Sequence, residues 1–387
     1  MVAVLGILVT WGVMSAGATH PHKLPCTFPA IYNFGDSNSD TGGGSAAFYP
    51  AAPPTGETFF HWVTGRAGDG RLIIDFIAEQ LGLPYLSPYL NSLGTNFRHG
   101  ANFAMGGTTI RNLNESMSVN GVPPFHTEIQ VVQFRQFKQR SARLFKLAKR
   151  HGDESEIRRL PRPQDFSKAL YTFDAGQNDL SAAFRTMTNR QFVAQIPAIM
   201  DELAKRISIL YEEGARAFWI HNTGPIGCLA VTLRNLPKPA PPGYLDQHGC
   251  IKSQNDMAIE FNKQLKKKVD QLRKKLPLAA FTYVDMFSAK LKIITNAIKL
   301  GFLDKASICC GYHENNNHVW CGNDGVINGT KIHAGSCRDP SSYVSWDGVH
   351  YTEAANRWIA DQIIKGSFSD TLLPLSQACH GPTPMTT

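Results

Sequence analysis

The chain predicts an α/β protein whose parallel sheet is covered by helices on both faces. Two observations predict this class. Short apolar runs bounded by Gly, Pro, Asn or Asp alternate, along 387 residues, with longer segments whose apolar residues recur at helical spacing. Polar, Gly-rich stretches directly follow several of those runs, at the carboxyl edge where such sheets keep their chemistry.

In chain order, Ala30 to Phe34 is the first strand, and Gly42-Gly43-Gly44-Ser45 after it is turn-rich, a patch that no regular element tolerates for long. A loop holding Pro50, Pro53 and Pro54 leads to an amphipathic helix over Arg71–Leu81, stopped by Gly82 and Pro84. Gly100–Ala104 is a short buried strand running into Gly106-Gly107, and residues 126–150 form a long helix. Ala169–Phe173 is a strand that delivers Asp174 to Asp179. Val193–Tyr211 is a helix ended near Gly214, Ala217–His221 a strand, Asn255–Leu276 a helix ended by Pro277, and Ala279–Val284 a strand. Thr352 to Ile364 is the last helix, with Thr352 as its cap. No repeat or low-complexity tract interrupts the alternation, and Pro237–Pro242 is a surface loop, so the chain is expected to form one domain although roughly 150 residues is the usual length of one.

Residues 2–14 are apolar, and Ala16-Gly17-Ala18 resembles a cleavage site, so residues 1–18 are expected to be a secretory signal peptide, although its start carries no Lys or Arg. The run is too short to span a bilayer, and no later stretch is long and apolar enough, so stable membrane insertion is not expected. Eight cysteines, an even number, agree with secretion and disulfides, with connectivity unreadable. Cys309, Cys310, Cys321, His333 and Cys337 could pass for a zinc site, but the paired C-x-x-C spacing is missing. Asn114-Glu115-Ser116 and Asn328-Gly329-Thr330 are glycosylation sequons. The net charge of +8 sits in two runs, Arg135–Arg150 and Lys263–Lys275, both interleaved with apolar residues as on the solvated faces of helices. Loose attraction to an acidic polysaccharide is the sharper reading of that charge, and a nucleic-acid partner is not expected.

The chemistry is organised around F-G-D-S-N-S-D-T-G, Phe34 to Gly42. Ser37 stands on the sharp exit of the first strand, where a hydroxyl is exposed, and such a hydroxyl needs a base and oxyanion donors. Gly107, after a strand, lets a backbone N–H approach a ligand, although a plain turn explains a glycine equally well. Asn178 in Gly176-Gln177-Asn178-Asp179 offers two amide hydrogens, although an Asx-turn is the bland alternative. Of thirteen histidines, His350 is singled out by an acid three residues upstream, Asp347, just before a helix. Serine, acid and histidine then follow in an order compatible with a charge-oriented triad.

These blocks resemble the plant branch of the GDSL esterase/lipase family within the SGNH hydrolases: Gly35-Asp36-Ser37, N-F-A-M-G-G from Asn102 to Gly107, Gly176 to Asp179, and W-D-G-V-H from Trp346 to His350. The resemblance implies a three-layer α/β/α sandwich with a flavodoxin-like sheet, as one hydrolase domain over residues 26–380. It implies Ser37 as nucleophile, His350 as base, Asp347 as orienting acid, and an oxyanion hole from the N–H groups of Ser37 and Gly107 (rather than Gly106) and the Asn178 side chain. Met105 departs from the small polar residue more usual there, which bears on pocket shape. No cofactor or metal is implied, and the oligomeric state is not readable.

The expected activity is hydrolysis of carboxylic esters through an acyl-serine, outside the cell, with acetyl esters of glycans or polar plant metabolites as the favoured substrate. His61-Trp62 and Trp346 are expected to offer surfaces for sugar rings. An acyltransferase with the same triad and a lipase for longer chains are the alternatives. A phosphate cradle over Ser37–Ser45 is disfavoured by Asp36 and Asp40 and by the lack of a P-loop motif. A storage protein that has lost activity is disfavoured because every site position is filled.

Overall fold

The computed structural model describes residues 24–112, 125–314 and 317–380. The expected signal peptide and the Asn114 sequon lie outside the described residues. In order come β1 (Ile31–Gly35), α1 (Gly43–Ala47), α2 (Ile73–Gln80), β2 (Gly100–Asn102), α3 (Thr127–His151), α4 (Glu154–Arg159), β3 (Leu170–Asp174), α5 (Gln177–Thr186) and α6 (Asn189–Glu212). They are followed by β4 (Ala217–His221), α7 (Ala230–Arg234), α8 (Lys252–Lys275), β5 (Ala280–Val284) and α9 (Met286–Thr295). Two hairpins, β6–β7 (Tyr312–Glu314, Asn317–Val319) and β8–β9 (Asp324–Ile327, Thr330–His333), precede α10 (Glu353–Ile364).

The five strands β1 to β5 form one parallel sheet in the order β2-β1-β3-β4-β5. Side chains alternate across the pleat, so each strand supplies two cores. Tyr32, Phe34, Tyr171, Phe173, Phe218 and Phe281 face α3, α6 and α8. Ile31, Leu170, Ala217, Trp219 and Val284 face α2, α9 and α10. Being buried on both faces is why the strands are nearly continuous apolar runs. Phe34 lies with its ring centroid 5.0 Å from Phe173 and 5.4 Å from Phe103, holding the end of β1 that leads to Ser37.

The helices follow from periodicity and caps. On α3, Val131, Phe134, Phe137, Phe145 and Ala148 are buried on one side, and the helix stops at Gly152 in the left-handed conformation. Truncating Phe134 to Ala would cost about 3–5 kcal/mol. The basic runs of α3 and α8 are helix faces: Lys138 pairs with Glu213, and Lys266 and Arg273 with Asp370. Thr188 and Gln191 cap α6 reciprocally, and the Thr352 hydroxyl accepts from the Ala355 N–H to start α10.

Two local expectations change. The glycines at 42–44 begin a short helix because the Asp40 carboxylate accepts from the N–H groups of Gly42, Gly43 and Gly44, at 2.8, 2.5 and 3.0 Å. The strand expected through Ala104 ends at Asn102, although Phe103 N–H still donates to the Asn33 carbonyl and Met105 N–H to that of Gly35. The eight cysteines form Cys26–Cys379, Cys228–Cys250, Cys309–Cys337 and Cys310–Cys321, which leaves no thiolate for the zinc arrangement considered above. No described helix is long and apolar enough to cross a membrane.

Candidate active site

The chain bends at the end of β1 because that end is clamped. Gln130 of α3 accepts from the Gly35 N–H (2.9 Å) and donates to its carbonyl (2.7 Å), and Asp36 N–H donates to the Asp174 carbonyl. A side chain at 35 would place its Cβ 2.4 Å from that carbonyl oxygen, so only glycine fits between β1 and β3. Ser37 follows at once, half-buried, with Oγ 2.8 Å from Nε2 of His350.

His350 comes from the turn between β9 and α10. Gly348 sits there at φ 92°, and a Cβ on it would lie 2.9 Å from that of Val231. Its N–H donates to the Ser345 hydroxyl, and Trp346 N–H donates to the His350 carbonyl. The turn brings Asp347 Oδ2 to 2.6 Å from His350 Nδ1, while Oδ1 accepts from the N–H groups of Val349 (2.9 Å) and His350 (2.8 Å). Trp346 is 1 % exposed and packs against the Cys309 and Cys310 disulfides, so it is core and not the sugar platform expected of it. Trp62, at 67 % exposed, keeps that possibility.

The electrostatics agree with the geometry. Burial pushes the Asp347 carboxyl up, but the His350 charge and the three hydrogen bonds outweigh it and hold Asp347 at about 2. Burial pushes the His350 imidazole down, and the Asp347 carboxylate, its hydrogen bond and Asp36 overcome that and hold it above its ordinary value. With Asp347 ionised, the ring proton belongs on Nδ1, which leaves Nε2 free to accept from Ser37. A second pair, Asp174 and His221 at 3.1 Å, is closed to such use: Trp219 Nε1–H donates to the other ring nitrogen.

Of the three expected oxyanion donors, Ser37 and Asn178 line one pocket. Gly106 N–H is spent on Asp40 Oδ2 at 2.9 Å, whereas the N–H groups of Gly107 and Ser37 find no intramolecular acceptor among the described residues. Asn178 lies in the first turn of α5, its amide nitrogen 3.0 Å from the Thr108 carbonyl and 3.3 Å from Asp36 Oδ2. Ser37 and Asn178 share a pocket of about 40 Å³ whose wall includes Gln177, Leu229, Lys290 and Tyr351.

Sequence reasoning gave Asp36 and Asp40 no part beyond disfavouring a phosphate cradle, and it missed Gln130 and Lys290. Asp36 is fully buried and pushed up to about 7 by burial and by Asp174, partly offset by hydrogen bonds from Asn38. Asp40 had a readable signal, an Asx residue just before a Gly-rich helix start. Gln130 and Lys290 had none, since each lies on an amphipathic helix whose register toward the site is a tertiary matter. The sequon residue Asn328 stands exposed at the tip of the β8–β9 hairpin, at φ 49° before Gly329.

Comparisons with known proteins identify the family. Residues 31–363 match the GDSL-like Lipase/Acylhydrolase family. A GDSL esterase/lipase of Arabidopsis thaliana is 58 % identical over 355 residues, covering 92 % of this chain and 90 % of the relative. A protein named esterase from Hevea brasiliensis is 50 % identical, with 92 % and 90 % covered. A protein named alpha-L-fucosidase 3 from Arabidopsis thaliana is 45 % identical, with 97 % and 98 % covered. Among solved structures, an acetylxylan esterase of Geobacillus stearothermophilus aligns at 12 % identity and a TM-score of 0.37, covering 89 % of this chain and 95 % of that one, a likeness too slight to carry an argument. With a parallel α/β sheet, a family match across most of its length and relatives at this identity, the chain belongs to the GDSL-like lipase/acylhydrolase family and is a carboxylic ester hydrolase.

Proposed function

We propose that Ser37 is the nucleophile, His350 the general base and Asp347 the orienting acid of an acyl-serine mechanism. The observation that carries this is the unbroken relay from Ser37 Oγ to His350 Nε2 (2.8 Å) and from Nδ1 to Asp347 (2.6 Å). Oγ adds to the ester carbonyl as its proton passes to Nε2. The resulting oxyanion is met by the N–H groups of Ser37 and Gly107 and by an Asn178 amide hydrogen now turned toward Asp36. Collapse expels the alcohol, which takes the proton from His350, and a water then repeats the cycle to release the acid and restore Ser37.

The proposed substrate is a short acyl ester, foremost acetyl, on an extracellular glycan or polar plant metabolite. The pocket that Ser37 shares with Asn178 is small, about 40 Å³, which favours a short acyl group. The exposed Trp62 and the net charge of +8 favour a sugar-bearing, anionic surrounding. Four disulfides support an extracellular site of action, with residues 1–18 as the signal and Asn328 and Asn114 as acceptors of glycan. Residues 26–380 are proposed as one hydrolase domain. Glycosidic cleavage, which the fucosidase name raises, uses two carboxyls facing the scissile bond. Here Asp347 is turned to His350, and Asp36 to Asn38.

The test is kcat/KM for acetyl against octanoyl p-nitrophenyl esters, with acetate release from acetylated xylan or pectin. Tenfold preference for octanoyl, about 1.4 kcal/mol, with no acetate released, overturns the acetyl reading. Release of p-nitrophenol from its fucoside would favour the glycosidase. An acyl product formed on an added alcohol would move the reading to acyltransferase.

A further inference from the structure

Lys290 lies in α9, 4 % exposed, in the wall of the pocket that holds Ser37 and Asn178. A buried ammonium ordinarily has a carboxylate or several acceptors, because desolvation without a partner is costly. Among the described residues none lies within ion-pair or hydrogen-bond distance of this one. It lies over the face of Tyr351, 5.0 Å from the ammonium to the ring centroid. The stem is accommodated by an absence: a Cβ on Gly224, another pocket residue, would sit 2.8 Å from Lys290 Cδ. The ammonium is therefore set at the pocket wall, open to the pocket, and left without an acid of its own. The neighbouring side chains Gln177 and Ser181, also in the pocket wall, make no intramolecular hydrogen bond either, which adds neutral donors to the charged one. Asp36 and Asp174 feel Lys290 at longer range, but Asp36 is engaged by Asn38, and Asp174 by His221.

We propose that Lys290 is a specificity-determining residue whose ammonium takes a carboxylate carried by the ester substrate. This rests on the reading of the Ser37 pocket as the place of ester hydrolysis. The carboxylate can be held by the acyl half, as in a dicarboxylic half-ester, or by the alcohol half, as in an acetylated acidic sugar, and both present the same group to the same ammonium. A charge-assisted hydrogen bond in a desolvated pocket discriminates strongly between the charged substrate and its neutral isostere.

The experiment compares two pairs of probes. On the acyl side these are p-nitrophenyl hemisuccinate and its neutral methyl ester; on the alcohol side, acetylated methyl galacturonoside and acetylated methyl galactoside. The expected result is a charged-to-neutral ratio of kcat/KM of about tenfold or more in one pair, carried mainly by KM. In Lys290→Met the ratio should collapse toward one, and in Lys290→Arg it should be partly restored. The pair that shows the ratio identifies the half of the substrate that carries the acid. Equal rates for both members of both pairs in the native enzyme overturn the proposal, without recourse to any variant. So does a ratio that survives in Lys290→Met, which would leave Lys290 as a distant counter-charge for Asp36 and Asp174. Failure of the underlying reading has a different signature: Ser37→Ala would keep its activity whatever the charge ratio.

Discussion

At the scale of single residues, the relay makes predictions that separate chemistry from folding. Ser37→Ala removes a half-buried hydroxyl with little packing, so hydrolysis should vanish while the melting temperature stays within a few degrees. More than a few per cent of activity in the purified variant would refute the nucleophile. Asn178→Ala should lower kcat by about 100- to 1,000-fold, roughly 2.7–4 kcal/mol, because its amide acts on charge that develops in the transition state. A change confined to KM would make Asn178 a substrate contact instead. The pH profile follows from directions. His350 must be neutral to accept the serine proton and is held above the ordinary value of 6.5, so kcat/KM should fall as pH drops through a value above 6.5. Stability runs otherwise. His350, raised on folding, gives its full contribution below its unfolded value and loses it as pH rises through the folded one. Asp347, lowered to about 2, contributes above the ordinary 3.8 and loses its contribution as pH falls toward 2. The enzyme at pH 5 should therefore be inactive yet retain this pair's stabilisation, which kinetics and thermal melts on one sample would check.

At the scale of elements, Asp40 is the knot between the first two blocks. Its carboxylate is buried, which pushes it up, and it accepts from Gly42, Gly43, Gly44 and Gly106. It starts α1 and fixes Gly106, directly before Gly107, whose N–H is the proposed oxyanion donor. Asp40→Ala should cost about 3 kcal/mol or more, since each buried donor left unpaired costs about 1–3 kcal/mol, and should lower kcat through a displaced Gly107. A denaturant midpoint unchanged from wild type would show that the knot is not structural. The long helices α3, α6 and α8 were readable because each carries a sustained apolar stripe. The ten-residue helices α5 and α9 went unread: α5 begins inside a motif that looks like a turn, and α9 follows directly on β5. The hairpins over 312–333 were hidden in a Cys- and Gly-rich stretch whose short strands bury little.

At the scale of the whole molecule, disulfides hold the ends and the catalytic turn. Cys26–Cys379 closes a loop of 353 residues, worth about 6 kcal/mol in the chain-entropy account. Replacing both cysteines by serine should lower the melting temperature with kcat unchanged, because neither lies near Ser37. Cys309–Cys337 and Cys310–Cys321 act differently. Cys309 N–H donates to the Ser345 carbonyl and Cys310 N–H to that of Trp346, so this clamp bears on Asp347 and His350 directly. Cys310→Ser with Cys321→Ser should lower kcat by more than it lowers the melting temperature. Equal activity per folded molecule would show that the turn holds itself.

The sequence by itself determined the layers, the five strands of the sheet, the long helices and the four blocks around Ser37, Gly107, Asn178 and His350. Those depend on periodicity and on local chemistry such as Asp347 three residues before His350, which a single turn brings together. Tertiary structure decided what joins distant segments. It chose four pairings among eight cysteines, buried Trp346, gave Gly106 N–H to Asp40 and so left that of Gly107 free, and put Lys290 of α9 into the pocket of β1. Such choices turn on which face of a helix or strand meets which neighbour across hundreds of residues, and periodicity gives a face without naming the partner it packs against.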